Sequence, residues 1–178
     1  MIRRIEEIRK CLDQELYEAA LALALTLPDI CGQIEYPNTS TGERYRDWIK
    51  AFVDDTVFYD PRFEVLKKIG IVNPNQTFEP LTAADIYKLR CHFLHCGDDD
   101  IESSRIDKFQ LVKPGTLGTD TNGKDYGYRY GSREERGQQI HFAELNIKYI
   151  CEMFCMFAEK YYDSRNPEDF EDHTWTLE

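Results

Sequence analysis

The decapeptide Tyr87-Lys88-Leu89-Arg90-Cys91-His92-Phe93-Leu94-His95-Cys96 concentrates the side chains able to do chemistry. It holds two of the four histidines and two of the six cysteines of a 178-residue chain. Imidazole exchanges protons near neutral pH, so His92 and His95 are candidate general acids or bases. Arg90 offers a planar fork suited to a phosphate or a carboxylate. On a helix, Cys91 with His95 and His92 with Cys96 are i,i+4 pairs with the spacing of zinc ligands. The two pairs point in different directions, however, and only His141, Cys151 and Cys155 stand elsewhere as a further ligand cluster. Neither a metal nor any other cofactor is therefore expected. At about 100° per residue, Ile86, Leu89 and Phe93 form one apolar stripe, and His95 points nearly opposite it. Arg90 and Leu94 flank the stripe beside Tyr87 and Cys91. Apolar groups outside the stripe predict a second contact surface, covered by another helix or by a second protomer.

Helical periodicity organises most of the chain that must position these residues. Ile5, Ile8, Leu12, Leu16, Ala19 or Ala20, Leu23 and Leu27 predict one helix over about 3–26, stopped by Pro28 and Gly32. Ser40 with Glu43 reads as a capping box opening a helix over 42–54, with Tyr45, Trp48, Ile49 and Phe52 on its apolar face. Residues 54–80, with Pro61, Gly70, Pro74 and Pro80, read as an irregular connection with a helical turn at Phe63 to Ile69. Thr82 with Asp85 is a second capping box, opening a helix over 82–96 that carries the decapeptide, and Gly97 is placed to end it. An acidic run, Asp98 to Glu102, follows. Phe109 to Val112 and Tyr126 to Tyr130 predict the two strands of a hairpin within 107–131. Ile140, Ala143, Ile147, Ile150, Phe154, Phe157 and Tyr161 predict a last helix over 139–162. The sum is an all-α fold: a four-to-five-helix up-and-down bundle with a small β-hairpin inserted between the third and fourth long helices. A single domain is expected over 1–163, followed by an acidic tail over 164–178 that frays.

Arg90-Cys91-His92-Phe93-Leu94-His95 resembles the Arg-x(4–6)-His motif of the HEPN superfamily. In that family the motif sits on the third long helix of a helical bundle, as the placement at 82–96 does here. The resemblance implies a metal-independent endoribonuclease of toxin or phage-defence type, working as a homodimer whose motif helices meet across a two-fold axis. Arg90 and His95 would be its catalytic residues, with His92, Tyr87 and Cys91 in support. His95 would take the proton of an RNA 2′-hydroxyl, and Arg90 would hold the scissile phosphate. A cognate antitoxin or other partner protein would accompany such a chain. The alternative is a catalytically inactive HEPN-like module for dimerisation or partner binding. Retention of both Arg90 and His95 favours the enzyme. Cys91, where the family commonly has Asn, Asp or His, favours the silent module.

Composition narrows the classes further. Lys and Arg number 22 against 33 Asp and Glu, a net charge of −11, which argues against bulk non-specific nucleic-acid binding but not against a nuclease with a locally basic cleft. The compact basic patch is Arg129, Arg133 and Arg136 around Gly131 to Gly137, offset by Glu134 and Glu135. Apolar residues are 42% and charged residues 31%, the balance of a soluble globular chain. No apolar run approaches the roughly 18 residues of a membrane span, so no membrane partner is expected. The charged N-terminus has no signal-peptide core, and a cytoplasmic location is expected. The six cysteines include no Cys-x-x-Cys pair and are expected as reduced thiols.

Overall fold

The computed structural model describes residues 1–53, 55–58, 60–70, 81–97 and 106–173. Along the chain run α1 (Ile2–Asp13), α2 (Tyr17–Ala24), α3 (Leu27–Glu35), α4 (Thr41–Phe52), α5 (Phe63–Lys68), α6 (Ala83–His95), β1 (Lys108–Val112), β2 (Tyr128–Glu135), β3 (Gln138–Asn146) and α7 (Ile147–Asp163). Short 3-10 segments lie at Asp55–Phe58 and Pro167–His173. The acidic run Asp98 to Glu102 falls outside the described residues. The all-α expectation is overturned: helices dominate, but a three-stranded mixed sheet makes the architecture α/β. The chain divides into two compact units, Met1–Asp54 with Ile150–Glu178, and Asp55–Tyr149.

The first unit is helical. Its expected 3–26 helix is two helices, because Glu15 adopts φ +58°. Leu16 N–H then bonds Cys11 O at 2.8 Å and Glu15 N–H bonds Leu12 O at 3.1 Å, the paired bonds of a Schellman cap with Glu15 in its left-handed position. Leu16, expected on the apolar stripe, is 51% exposed as a result. Pro28 begins α3 instead of ending a helix, since a proline in the first turn has no N–H to lose, and α3 runs through Gly32. Ser40 does precede α4, but its side chain makes no capping bond. Ile5, Ile8, Leu21, Leu25, Leu27, Tyr45, Trp48, Ile150 and Phe154 are all fully buried. Trp48 stacks on Phe52 with centroids 5.7 Å apart and meets the edge of Tyr161 at 5.9 Å. Part of the acidic tail is pinned, not frayed. Phe170 is 1% exposed and packs on Tyr162 with ring centroids 4.7 Å apart.

The second unit contains α5, α6 and the sheet, whose strand order is β1-β3-β2. β1 pairs parallel to β3 and β2 pairs antiparallel to it. The two segments expected to form one hairpin are therefore the outer strands, separated by β3. The true hairpin is β2–β3, closed by Arg136 and Gly137 at φ +52° and +79° between the paired residues Glu135 and Gln138. Two positive φ values in a two-residue loop make a type I′ turn, whose twist matches that of the strands it joins. The expected 139–162 helix accordingly begins only at Ile147. Ile140, Ala143 and Ile147 have helical spacing by coincidence, whereas Ala143 and Leu145, two apart and fully buried, follow the strand period. Asn146 makes the change of state. Its Oδ1 accepts the Tyr149 N–H at 3.3 Å as an N-cap, while its own N–H bonds Gly127 O at 2.9 Å.

Candidate functional site

Helix α6 is built as its sequence predicts. Thr82 N–H donates to Asp85 Oδ2 at 2.9 Å, and Asp85 N–H donates to Thr82 Oγ1 at 3.3 Å, a complete capping box. At the other end Cys96 N–H reaches His92 O at 2.8 Å, and Gly97 stops the helix at φ +74°. Ile86 and Leu89 are fully buried. Phe93, expected to complete that stripe, is only half-buried, and so are Tyr87, Arg90, Cys91, His92 and Leu94. His95 and Cys96 are exposed.

The catalytic candidates occupy different sides of this helix. Arg90 leans back by one turn, placing its guanidinium carbon 5.9 Å from the centroid of the Tyr87 ring. His95 stands in the last turn, about 140° around the axis and roughly 7.5 Å along it from Arg90. The structure thus joins Arg90 to Tyr87, and the helical period sets His95 apart from Arg90. His92 and Cys91 lie between them on the same helix. Among the described residues, no group of three or more His, Cys, Asp or Glu side chains could hold a metal ion. The six cysteines are free thiols, and burial pushes the Cys31, Cys151 and Cys155 thiols well above their usual range, Cys155 to about 12. Those three are inert packing residues and no nucleophiles.

The sheet brings together a second constellation that the sequence scattered over residues 107–144. On β2, Arg129 and Arg133 share the face of the sheet that also carries Lys108, Phe142 and Glu144, because register sets Lys108, Phe142 and Gly131 side by side. Arg136 of the same basic patch sits apart, in the hairpin turn. On the opposite face Tyr130 and His141 lie nearly parallel, with Tyr130 Oη 3.3 Å from His141 Nδ1. Asp107 ties His141 further, accepting its backbone N–H at 2.7 Å and donating its own to His141 O at 2.9 Å. The local signal for this hairpin was Gly137, a residue suited to the positive φ that the two-residue turn requires.

No protein-family model matches the chain, and neither does any curated protein or solved structure. The likeness to HEPN proteins stands on the Arg90 to His95 residues alone. Among the described residues, no helix is long and apolar enough to cross a membrane. Charge divides unevenly between the two units. The helical unit has 9 basic against 18 acidic residues, and the unit with α6 and the sheet has 13 against 15. The acidity that argued against nucleic acid resides in the unit without the motif.

Proposed function

We infer that this chain is a metal-independent endoribonuclease whose site is assembled from the α6 helices of two copies. The observation that carries the reading is the separation of Arg90 from His95 around α6. On one helix the two side chains diverge, whereas a two-fold pairing brings the motif helices of two copies together, so that Arg90 of one copy and His95 of the other serve one phosphate. In that arrangement His95 removes the proton of a 2′-hydroxyl. The oxygen attacks its own phosphate, Arg90 balances the charge that develops, and the products are a cyclic phosphate and a 5′-hydroxyl. The half-exposed Tyr87, Cys91 and Leu94 supply the apolar surface that a second copy covers. The near balance of charge in this unit supports the reading, since a polyanionic substrate meets little net repulsion there.

A catalytically silent dimerisation or partner-binding module is the second reading. It is favoured by that same half-exposed row, which serves docking whether or not chemistry follows.

The deciding experiment incubates single-stranded RNA with the protein in the presence of a chelator. Wild type is expected to cleave, and Arg90→Ala and His95→Ala each to lose at least about a hundredfold in rate. Mixing the two inactive variants reconstitutes one intact site per heterodimer and should restore about a quarter of the activity. A dimer of twice 21.0 kDa that never cleaves RNA leaves the module reading. A monomer at micromolar concentration removes the composite site.

A further inference from the structure

The outer face of the sheet carries an aromatic ring laid flat between two guanidinium groups. Phe142 lies across Gly131 of the neighbouring strand, where a Cβ would meet its Cζ at 2.7 Å and its Cε1 at 3.0 Å. The missing side chain lets the ring lie down over β2 in place of standing off the sheet. Arg129 and Arg133, two residues to either side of Gly131, bring their guanidinium carbons to 5.9 and 5.3 Å from the ring centroid. Lys108 stands beside Phe142 on β1. Among the described residues, three cations thus surround one ring, opposed on this face by two carboxylates. Glu144 pairs with Arg129, and Glu135 is shared between Arg133 and Lys108 at 2.6 Å each. Those two cations hold the Glu135 carboxyl below its usual range.

We propose that this face is a docking platform for single-stranded RNA, with an unpaired base stacked on Phe142 and the flanking phosphates taken by Arg129, Arg133 and Lys108. The half-buried Phe142 ring offers a π-system on which a base can stack, and planar guanidinium forks match phosphate oxygens in pairs. A local excess of cations on a chain of net charge −11 selects a polyanion at this face. Duplex RNA is a poor occupant, since its bases are already stacked and its backbone cannot wrap a single ring. An acidic peptide supplies carboxylates but no planar group for Phe142. Glu135 competes with the phosphates for both of its cations, so it acts as a brake on binding. The proposal takes from the proposed function the premise that RNA is the substrate, and it adds that the substrate is held unpaired on the sheet.

The test is fluorescence anisotropy of a labelled ten-residue oligouridylate, with and without its complement. Wild type should bind the single strand saturably and the duplex about tenfold more weakly. Phe142→Leu, which keeps an apolar cover on Gly131, should weaken binding about fivefold or more, and so should Arg133→Gln at its exposed position. Glu135→Gln should tighten binding severalfold. Glu134→Gln, which makes the same charge change on the other face of β2, should leave it within twofold. Absence of saturable binding by wild type overturns the proposal, and so does equal affinity of Phe142→Leu and wild type, or equal effects of the two glutamate variants. His95→Ala separates the two readings: it should abolish cleavage and bind as wild type does. Loss of the platform effects with cleavage retained refutes only the platform. Binding that depends on Phe142 without any cleavage refutes only the ribonuclease.

Discussion

Arg62 saturates the buried carboxylate of Asp60. Its Nε donates to Asp60 Oδ1 at 2.9 Å and its Nη2 to Oδ2 at 3.0 Å, while its backbone N–H returns to Oδ1 at 2.9 Å. The remaining Nη1 donates to Leu117 O at 2.7 Å, and the guanidinium lies 4.0 Å from the centroid of the Tyr126 ring. One side chain therefore clips both ends of the loop between β1 and β2 to the segment before α5. Asp60 is only 1% exposed, so removing its partner strands a charge in the interior. Arg62→Met is expected to cost about 3–5 kcal/mol in urea unfolding, and the double variant with Asp60→Asn to cost measurably less than that. A loss under about 1 kcal/mol for the single variant contradicts this account.

Glu15 occupies a left-handed position that ordinarily suits glycine, at a cost of about 1 kcal/mol for an L side chain. Its side chain is exposed, so nothing packed is lost on removing it. Glu15→Gly should raise the Tm by about 1–3 °C, after the extra entropy of glycine in the unfolded chain is subtracted. Glu15→Ala should bring no gain, because it keeps the Cβ. A lower Tm for the glycine variant would show that the strain is absent.

Phe170 anchors the tail segment through Tyr161 and Tyr162, with centroids 6.1 and 4.7 Å away. Phe170→Ala should destabilise the helical unit by about 3 kcal/mol, the usual result of truncating a buried aromatic ring. The check is chemical denaturation of the full chain, followed by limited proteolysis. The variant should be cut within 164–173 far faster than wild type, and an unchanged cleavage rate would return the tail to a frayed state.

Alkaline pH should unfold this protein earlier than acid strength alone suggests. Burial raises the thiols of Cys31, Cys151 and Cys155 and the phenols of Tyr149 and Tyr161 in the folded state. A raised folded pKa means that the unfolded chain loses its protons first. The stability these groups contribute is complete below about pH 8.5 and is lost progressively as pH rises toward 12 for Cys155. Unfolding free energy should fall between pH 8.5 and 11 by up to about 1.4 kcal/mol per pH unit for each fully linked thiol. Cys155→Ala should show a shallower slope than wild type over that range. A flat profile from pH 8 to 11 would mean that these thiols ionise without unfolding.

Sequence alone determined the elements that local interactions make. Thr82 and Asp85 cap each other across three residues, Gly97 supplies the left-handed stop, and Ile86 and Leu89 repeat at helical spacing, so α6 was legible with its chemistry on it. The start of α4 at Ser40 and the run of α7 from Ile150 to Tyr161 were legible for the same reason. Their hydrogen bonds join residues four apart, and nothing distant has to agree. Even there the boundary at Glu15 was invisible, because no glycine or proline announces a left-handed glutamate.

Only the tertiary structure decided the sheet and what it assembles. A strand is stabilised by a partner that can lie anywhere in the chain, and the pairing of Lys108 with Phe142 joins positions 34 apart. Ile140 and Ala143 fit a helix as well as a strand in one dimension. The competition was settled by Asn146, whose side chain caps α7 while its backbone N–H is held by Gly127. Register then carried Arg129, Arg133 and Lys108 to one ring, and the helical period carried Arg90 and His95 apart. The residue types of both candidate sites were written locally. Their convergence depended on the non-local pairings of a β-sheet, whose cost in loop-closure entropy only the whole fold repays.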